Sequence, residues 1–455
     1  MNTSADTIAA IATPAGAGGI GIVRVSGPAA CRIAWKLCGR RLQPRQAHFV
    51  HFRDQYGADI DVGVAIHFPT PHSFTGEDTV ELQAHGAMVV LNQLLRRCVE
   101  LGARTARAGE FSERAFLNGK IDLTQAEAIA DLISSQSQAQ ARAALRSLDG
   151  AFSSEVKTLQ QQLEQLRLYI EAAIDFPEEE IDFLADHRLL ADIVNLRNGL
   201  NELLLGARRG QRLRDGLHTV LIGRPNAGKS SVLNALARSD RAIVSAQPGT
   251  TRDLLREHID VDGVALTIVD TAGLCESEDV IEQEGVRRAR VELGRADLAL
   301  IVLAPEDEDQ LDALRAEAPP SAHRIVLHNK LDLRAGRSHT TRSANSDIDH
   351  GSEIHLDISA LTGAGLDDLR FALRQVAGHG DGSEGAFSAR TRHVLALERV
   401  AEHLQHAEQH LIGNRAGELA AEELRLAQQD LSELTGEYRN DDLLGAIFSS
   451  FCIGK

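Results

Sequence analysis

Aromatic residues are scarce in this chain. Only 4% of its 455 residues are Phe, Trp or Tyr, and there is one Trp. That leaves little from which to build a stacking platform for single-stranded nucleic acid. An excess of basic charge is also missing: 48 Lys and Arg stand against 65 Asp and Glu, a formal net charge of -17. Such a chain has no broad basic face with which to hold nucleic acid tightly by itself. No apolar run approaches the ~20 residues that span a bilayer. The first residues, Met1–Ala17, carry Asp6 but no Lys or Arg, unlike a secretory signal or an Arg-rich transit peptide. The cysteines (Cys31, Cys38, Cys98, Cys275 and Cys452) are odd in number, far apart and without a CxxC pair, so no disulfide framework is suggested. The expectation is a cytoplasmic protein, in a reducing setting and with no membrane. What is present is an ordinary globular composition, 43% hydrophobic and 25% charged, with length for about two to four domains.

Residues 1–120 read as mixed α and β. Ile20–Val25, Val62–Phe68 and Thr79–Gln83 are strand candidates bounded by Gly, Pro, Asp or His. Pro28–Leu37 and Met88–Leu101 are helix candidates, the second with Val89, Leu91, Leu94, Leu95 and Val99 on helical spacing. After Lys120 the texture becomes helical. Val156, Leu159, Leu163, Leu166, Ile170 and Ala173, and then Leu189, Ile193, Leu196, Leu200 and Leu203, step by three and four as amphipathic helices do. An acidic break at Pro177–Asp182 separates them, and bundle packing fits as well as a coiled coil. From Gly216, strand candidates at Thr219–Ile222, Leu266–Val269, Leu298–Leu303 and Arg324–Leu327 alternate with helices, the pattern of a parallel sheet. Beyond the glycine-rich Gly378–Gly385 linker, helical spacing resumes at Val394, Leu397, Ala401 and Leu404, and at Ala420, Leu424, Ala427, Leu431 and Leu434. Helices on both sides of the α/β block indicate that the block is inserted into a helical domain; three domains in series is the alternative.

The α/β block carries the chemistry. Gly223-Arg-Pro-Asn-Ala-Gly228-Lys229-Ser230 fits G-x4-G-K-[ST], between a strand candidate and the helix candidate Ser231–Ala237. Its amides can cradle phosphate, Lys229 can reach the β/γ-phosphates, and the Ser230 hydroxyl can bind Mg²⁺. Asp270-Thr271-Ala272-Gly273 follows a strand about forty residues on, where an Asp reaches Mg²⁺ through water and a Gly amide senses a γ-phosphate. Asn329-Lys330-Leu331-Asp332 follows another strand. The Asp332 carboxylate can accept both N1–H and the exocyclic amine of guanine, which selects GTP over ATP. Ser359-Ala360-Leu361 sits where a further loop supports the base. Together these resemble the G1, G3, G4 and G5 elements of Ras-like GTPases, with Thr250 or Thr251 as the switch threonine. Leu274 follows Gly273 and cannot hold a water by hydrogen bonding. Another group must therefore orient the water, with Glu276, Glu278, Asp279, Glu282 and Glu284 as candidates.

GRPNAGKS (223–230), the Ser245–Arg252 loop ending PGTTRD, DTAGL (270–274), Phe74-Thr-Gly-Glu-Asp78, Gly109-Glu-Phe-Ser-Glu-Arg-Ala-Phe-Leu-Asn-Gly-Lys120 and the terminal Phe451-Cys452-Ile453-Gly454-Lys455 resemble the MnmE (TrmE) family of tRNA-modification GTPases. The resemblance covers essentially the whole chain. It implies a tetrahydrofolate-binding, homodimerising α/β domain at 1–120, a helical bundle domain at 121–215 and 380–455, and a Ras-like P-loop GTPase domain inserted at 216–379. Nucleotide contacts are implied at Asn226, Ala227, Gly228, Lys229, Ser230 and Ser231, and at Ser245, Ala246, Gln247, Pro248, Gly249, Thr250 and Thr251. The remainder fall at Asp270, Thr271, Ala272, Gly273, Asn329, Lys330, Asp332, Ser359, Ala360 and Leu361. Magnesium falls on Ser230 and Thr251. Potassium falls on Asn226, Ser245, Gln247 and Thr250, by side chains or backbone carbonyls. Glu282 matches the glutamate that orients or activates water.

Folate contacts are implied at Arg24, Glu81, Lys120 and Lys455; surface ion pairing is the alternative for each taken alone, and a frayed end is the default reading of the terminal Lys455. Cys452 is either a nucleophile or a residue that packs or lines the site. The resemblance further implies GTP, Mg²⁺, K⁺ and a 5-formyl or 5,10-methylene tetrahydrofolate, with FAD and NADH reaching the reaction through a MnmG (GidA) partner in a hetero-oligomer. The pair would add an aminomethyl or carboxymethylaminomethyl group to C5 of a tRNA wobble uridine, tRNA being held by the complex. Arg208, Arg209, Arg212 and Arg214 either touch RNA or form a solvated helix face. A ribosome-assembly or signalling GTPase acting as a binding switch is the competing class.

Overall fold

The computed structural model describes residues 6–175, 187–237, 256–261, 264–270, 296–320, 322–333, 353–377, 385–411, 416–437 and 441–454. They divide into two compact units, Met1–Ala130 with Gln429–Lys455, and Asp131–Gln428. The first is built on a six-stranded sheet of β1 (Ile8–Ile11), β2 (Gly18–Ser26), β3 (His48–Arg53), β4 (Asp59–Phe68), β5 (Thr79–Gly86) and β6 (Arg104–Thr105), in the order β3-β4-β5-β2-β1-β6. All pairings are antiparallel except β1 with β6.

Helices α1 (Ala30–Cys38) and α2 (Met88–Glu100) cover one face. Ala30, Ile33, Ala34 and Leu37 recur at one helical face of α1 and pack on Val25, Val80 and Leu82, so apolar burial is what holds helix to sheet. Gly39 ends α1 in the left-handed region at φ 70 and donates its N–H to the Trp35 carbonyl, as C-terminal glycines do. In α2 the buried face is Leu91, Leu94 and Cys98, whereas Val89 and Val99 are exposed. The sequence stripe was therefore displaced by part of a turn.

Helices α3 (Glu110–Leu117) and α4 (Leu123–Ser134) follow the sheet. Phe116, Leu123 and Ala126 pack with Leu444, Ile447, Phe448 and Phe451 in a separate apolar cluster. The C-terminal segment thus closes on α3 and the start of α4.

The second unit combines helices with a second sheet. Ser137 caps α5 (Gln138–Leu148) reciprocally with Gln140, satisfying otherwise orphaned N–H groups. The long helices α6 (Ala151–Asp175) and α7 (His187–Asp215) pack together. Val156, Leu159, Leu163, Leu166 and Ile170 of α6 are buried, as are Leu189, Ile193, Leu196, Leu200 and Leu203 of α7. The Pro177–Asp182 break lies outside the described residues.

Among the described residues six strands lie between α7 and the later helices: β7 (Leu217–Ile222), β8 (Arg256–Val261), β9 (Val264–Asp270), β10 (Leu298–Leu303), β11 (His323–His328) and β12 (Glu353–Asp357), ordered β12-β11-β10-β7-β9-β8. The four strands expected from the sequence, β7, β9, β10 and β11, pair in parallel, and β8, which was not among them, pairs antiparallel with β9 at the edge. Within it run α8 (Lys229–Ala237), α9 (Leu311–Glu317) and α10 (Leu366–Val376). Then come α11 (Thr391–Gln409), α12 (Gly417–Thr435) and α13 (Asp441–Ser449).

Helix α7 enters the α/β block and α11 leaves it, yet the two pack against each other. Arg208 pairs with Glu398 at 2.7 Å and Arg197 with Glu408 at 2.6 Å across that contact. The block is thus an insertion between neighbouring helices of a bundle. Among the described residues no helix is long and apolar enough to cross a membrane.

Candidate functional site

Strand β7 sits centrally, with β9 on one side and β10 on the other. The loop after β7 therefore opens where the strand order reverses, the place at which parallel sheets leave a crevice beyond their carboxyl ends. Into it runs Gly223–Ser230, ending in the first turn of α8. Asn226 holds a left-handed backbone at φ 66 and Gly228 one at φ 97; Asn and Gly are the residues that tolerate it. A Cβ at Gly228 would run into the Asn329 side-chain amide. Lys229 is buried and its Nζ donates to the Gly223 and Arg224 carbonyls at 2.6 and 3.1 Å. Its ammonium is thereby held inside the loop's concavity. Ser230 stands beside it on α8, whose N-terminus adds partial positive charge. This donor set suits a magnesium-bound polyphosphate.

The loops after β11 and β12 complete the crevice. Asn329, 2% exposed, donates from Nδ2 to the Ala227 carbonyl at 3.0 Å and accepts at Oδ1 from the Ala360 N–H at 3.1 Å. One buried amide therefore ties the phosphate loop to the last loop. Lys330 takes a left-handed backbone at φ 61 and reaches Glu306 at 3.1 Å. The buried Ser359 donates its hydroxyl to Asp332 Oδ1 at 2.5 Å and accepts from the Thr362 N–H at 3.2 Å, aiming the carboxylate. Leu361 is exposed. Asp270 ends β9 opposite Leu221 of β7.

Ser245, Ala246, Gln247, Pro248, Gly249, Thr250, Thr251, Thr271, Ala272, Gly273, Leu274, Glu282 and the rest of the 276–284 acidic stretch lie outside the described residues, as do Lys455 and the Asp270 side chain.

On the first unit, Arg24 and Glu81 are cross-strand partners on β2 and β5. Arg24 donates to Glu81 Oε1 from Nε at 3.1 Å and from Nη2 at 2.9 Å. Its Nη1 donates to the Gly454 carbonyl at 3.5 Å, and its guanidinium lies 5.7 Å from the Phe111 ring centroid. The C-terminal segment and β2 thus meet at Arg24. Lys120 instead donates to the Pro71 carbonyl at 2.9 Å and lies over Gly76. Cys452 is exposed, and its carbonyl accepts from the Gly109 N–H at 3.4 Å.

Sequence reasoning passed over a partly buried ion cluster beside this site. Arg114 is paired with Asp6, Glu77 and Glu110, and Arg104 with Asp6 and Glu110. Its acids and bases lie up to about a hundred residues apart along the chain (Asp6 and Arg114 by 108), so no spacing rule brings them together. Of the basic run on α7, Arg208 pairs with Glu398, and Arg214 with Asp131 and Asp215. Those two guanidiniums form ion pairs within the bundle.

Residues 7–120 match the family model described as GTP-binding protein TrmE N-terminus, and residues 123–452 match that of the MnmE helical domain. Relatives carrying the name tRNA modification GTPase MnmE align along the full length. That of Xanthomonas campestris pv. campestris strain B100 is 55% identical over 459 residues, covering 100% of both chains. Those of Ectopseudomonas mendocina strain ymp and Pseudomonas aeruginosa strain UCBPP-PA14 are each 52% identical over 461 residues, again covering 100% of both.

Proposed function

We propose the following reading for this chain, which belongs to the MnmE (TrmE) family of tRNA-modification GTPases. It is a GTPase of tRNA modification that uses GTP and magnesium. Its hydrolysis is activated by potassium, and it acts in the cytoplasm with an FAD- and NADH-dependent MnmG-type partner. Together they add an aminomethyl or carboxymethylaminomethyl group to C5 of the tRNA wobble uridine, the one-carbon unit coming from a tetrahydrofolate derivative. Residues 1–120 bind folate and form the homodimer, 216–379 form the GTPase domain, and 121–215 with 380–455 form the helical domain.

In the GTPase domain Asp332, oriented by Ser359, reads the guanine edge. Lys229 and the N-terminus of α8 balance phosphate charge. Ser230 and Thr251 hold magnesium, which supplies charge compensation at the phosphates. Asn226, with Ser245, Gln247 and Thr250, receives potassium, and Glu282 orients the attacking water in place of Leu274.

The observation that carries the modification half is the seating of the C-terminal segment on Arg24, with its Gly454 carbonyl accepting from the guanidinium that also holds Glu81. Two of the four folate candidates, Arg24 and Glu81, lie at that contact, and Lys455 follows Gly454 in the sequence. Mass spectrometry of wobble nucleosides from a deletion strain tests the reading. Loss of the C5-modified uridine supports it, and an unchanged nucleoside profile returns the protein to the class of binding-switch GTPases.

A further inference from the structure

Strand residues alternate between faces, and on β5 this separates two chemistries. Glu81 pairs with Arg24, whereas the neighbouring Val80 pairs with His67 of β4 and belongs to the apolar core under α1. His67 accordingly meets α1 rather than the Arg24 side of the sheet. Its Nε2 lies 3.2 Å from Cys31 Sγ, in the first turn of α1, and 3.0 Å from Asp78 Oδ1. The three ligand atoms all fall within 4.8 Å of one another.

A single ring nitrogen cannot serve both neighbours well by hydrogen bonding. Protonated, it gives its one hydrogen to the carboxylate and leaves the sulfur at most a weak share; unprotonated, it accepts only from the weak Cys31 S–H and faces the carboxylate lone pair against lone pair. A cation between the three satisfies all of them at once. Around a tetrahedral ion with the usual zinc–sulfur and zinc–nitrogen bonds of about 2.3 and 2.0 Å, the S···N edge is about 3.5 Å and an N···O edge about 3.3 Å. The observed separations are within a few tenths of an ångström of both. Thiolate, imidazole and carboxylate together suit zinc, whereas magnesium and calcium take oxygen sets.

The ligands are also held in place before any ion arrives. Ile33, Ala34 and Leu37 anchor α1 in the core. The His67 ring is 13% exposed within the sheet, and Asp78 Oδ1 accepts from the Thr70 N–H at 3.2 Å. Cys31 remains exposed, so one side of the cluster is open to solvent.

We propose that Cys31, His67 and Asp78 form a zinc site with its fourth position left to water, joining α1, β4 and the 69–78 segment of the N-terminal unit. The full-length protein, stripped of metal with a chelator, is titrated with Co²⁺ as a spectroscopic substitute and then with Zn²⁺. One Co²⁺ per chain is expected, with a thiolate-to-cobalt charge-transfer band that Zn²⁺ abolishes. Zn²⁺ alone should raise the melting temperature, because it binds the folded chain.

Cys31→Ser, a near-isosteric change at an exposed position, should erase the thiolate band and the thermal shift. It should weaken binding by more than the ~10-fold that even outer partners of metal ligands command. His67→Gln should weaken it similarly, and Cys452→Ser should leave it unchanged. A metal-free protein that shows no thiolate band with Co²⁺ overturns the proposal, and so does a band that survives in Cys31→Ser.

Discussion

Arg114 donates from Nη1 to the Glu77 carboxylate at 3.1 Å, and by that bond the segment 74–78 is fastened to the segment 109–120. The same guanidinium holds Asp6 and Glu110, and Glu77 in turn accepts from the Ser26 hydroxyl at 2.8 Å. The side chains of Arg114 and Glu110 are 5% and 3% exposed. Glu77, Glu110 and Arg114 therefore form an electrostatic clamp inside the unit, beside the Arg24 pair rather than part of it.

Buried ion pairs are costly to break from one side, because the remaining charge is left without compensation. Arg114→Met should lower the unfolding free energy of the N-terminal unit by about 3–5 kcal/mol, read from urea denaturation. A loss below about 1 kcal/mol, the scale of a surface pair, would show that solvent reaches the cluster.

The clamp also sets an acid limit. Burial alone pushes the Glu110 carboxyl up, but hydrogen bonds from Arg104, from the Arg107 N–H and from Arg114 outweigh it and hold the group below its ordinary value. Asp6 is shifted the same way, burial again being overcome by Arg104 and Arg114. A carboxylate depressed in the folded state stabilises fully above its unfolded pKa and loses that contribution as pH falls through the folded one. Stability should stay level in this respect above about pH 5 and decline below about pH 4. In Glu110→Gln the acid-induced decline should be shallower; an identical slope would take Glu110 out of the linkage.

At the nucleotide site two neighbouring residues should fail differently. Asn329→Ala leaves the Ala227 carbonyl and the Ala360 N–H without the partner each has now, so it should weaken GTP and GDP alike and loosen the domain by about 1–3 kcal/mol. Asp332→Ala should cost about 1.5–3 kcal/mol of guanine nucleotide affinity, the scale of hydrogen bonds to a charged group. Asp332→Asn should instead favour xanthosine triphosphate, whose O2 can accept from the new amide. Calorimetry with the three nucleotides checks this, and undiminished GTP binding by Asp332→Ala would remove the guanine assignment.

The apolar skeleton was largely legible from sequence. The expected strand Leu298–Leu303 is β10 residue for residue, because a strand buried on both faces reads as an unbroken apolar run. The periodic apolar positions of α6 and α7 are buried as their spacing implied, except Ala173 near the end of α6, which is half-buried. Strand β3 was not legible: along His48–Arg53 the residues alternate in burial, but the strand opens with His48 inside and Phe49 outside, against the usual sense of polarity, before Val50 and Phe52 turn inward. Strand β1, Ile-Ala-Ala-Ile, is too short and too rich in alanine to announce itself, and β6 has only two residues. At the site, the motifs located Asn329 and Asp332. The bridge from Asn329 to Ala227, and the Ser359 bond that aims Asp332, arise only when loops 27 to 102 residues apart meet.

Hydrolysis should depend on the monovalent ion. A cation received at Asn226 would bring positive charge where an arginine finger otherwise acts, and a site built of Asn226 and backbone carbonyls should suit potassium rather than sodium. GTP turnover is expected to rise strongly in KCl and not in NaCl, with G-domain dimers forming in KCl with GDP and aluminium fluoride. Glu282→Ala should bind both nucleotides normally yet turn over ~10²–10⁴-fold more slowly in KCl, the range for losing a positioned general base. Equal rates in the two salts would refute ion activation, and normal turnover by Glu282→Ala would pass its role to another acid of residues 276–284.

The end of the chain supplies the remaining test. Ile453 forms an antiparallel bridge with Ala108, the Gly109 N–H reaches the Cys452 carbonyl, and Phe451 is buried with Phe448 and Phe116. Gly454 adopts φ 97, and a Cβ there would collide with the Ile11 carbonyl of β1; only glycine brings the backbone close enough for its own carbonyl to meet Arg24. Residues 451–454 thus form part of the wall beside Arg24. Deleting Phe451–Lys455 should abolish binding of 5-formyl-tetrahydrofolate and wobble-uridine modification while GTP hydrolysis persists. Since the deletion also uncovers Phe116 and Phe448, Lys455→Ala provides the gentler variant, expected to weaken folate by about 1.5–3 kcal/mol if its ammonium meets a ligand carboxylate. Calorimetry with the folate, paired with a GTPase assay, reads both variants. Full-strength folate binding by the truncated protein would take the C-terminal segment out of the folate site and leave its seating on Arg24 a matter of packing alone.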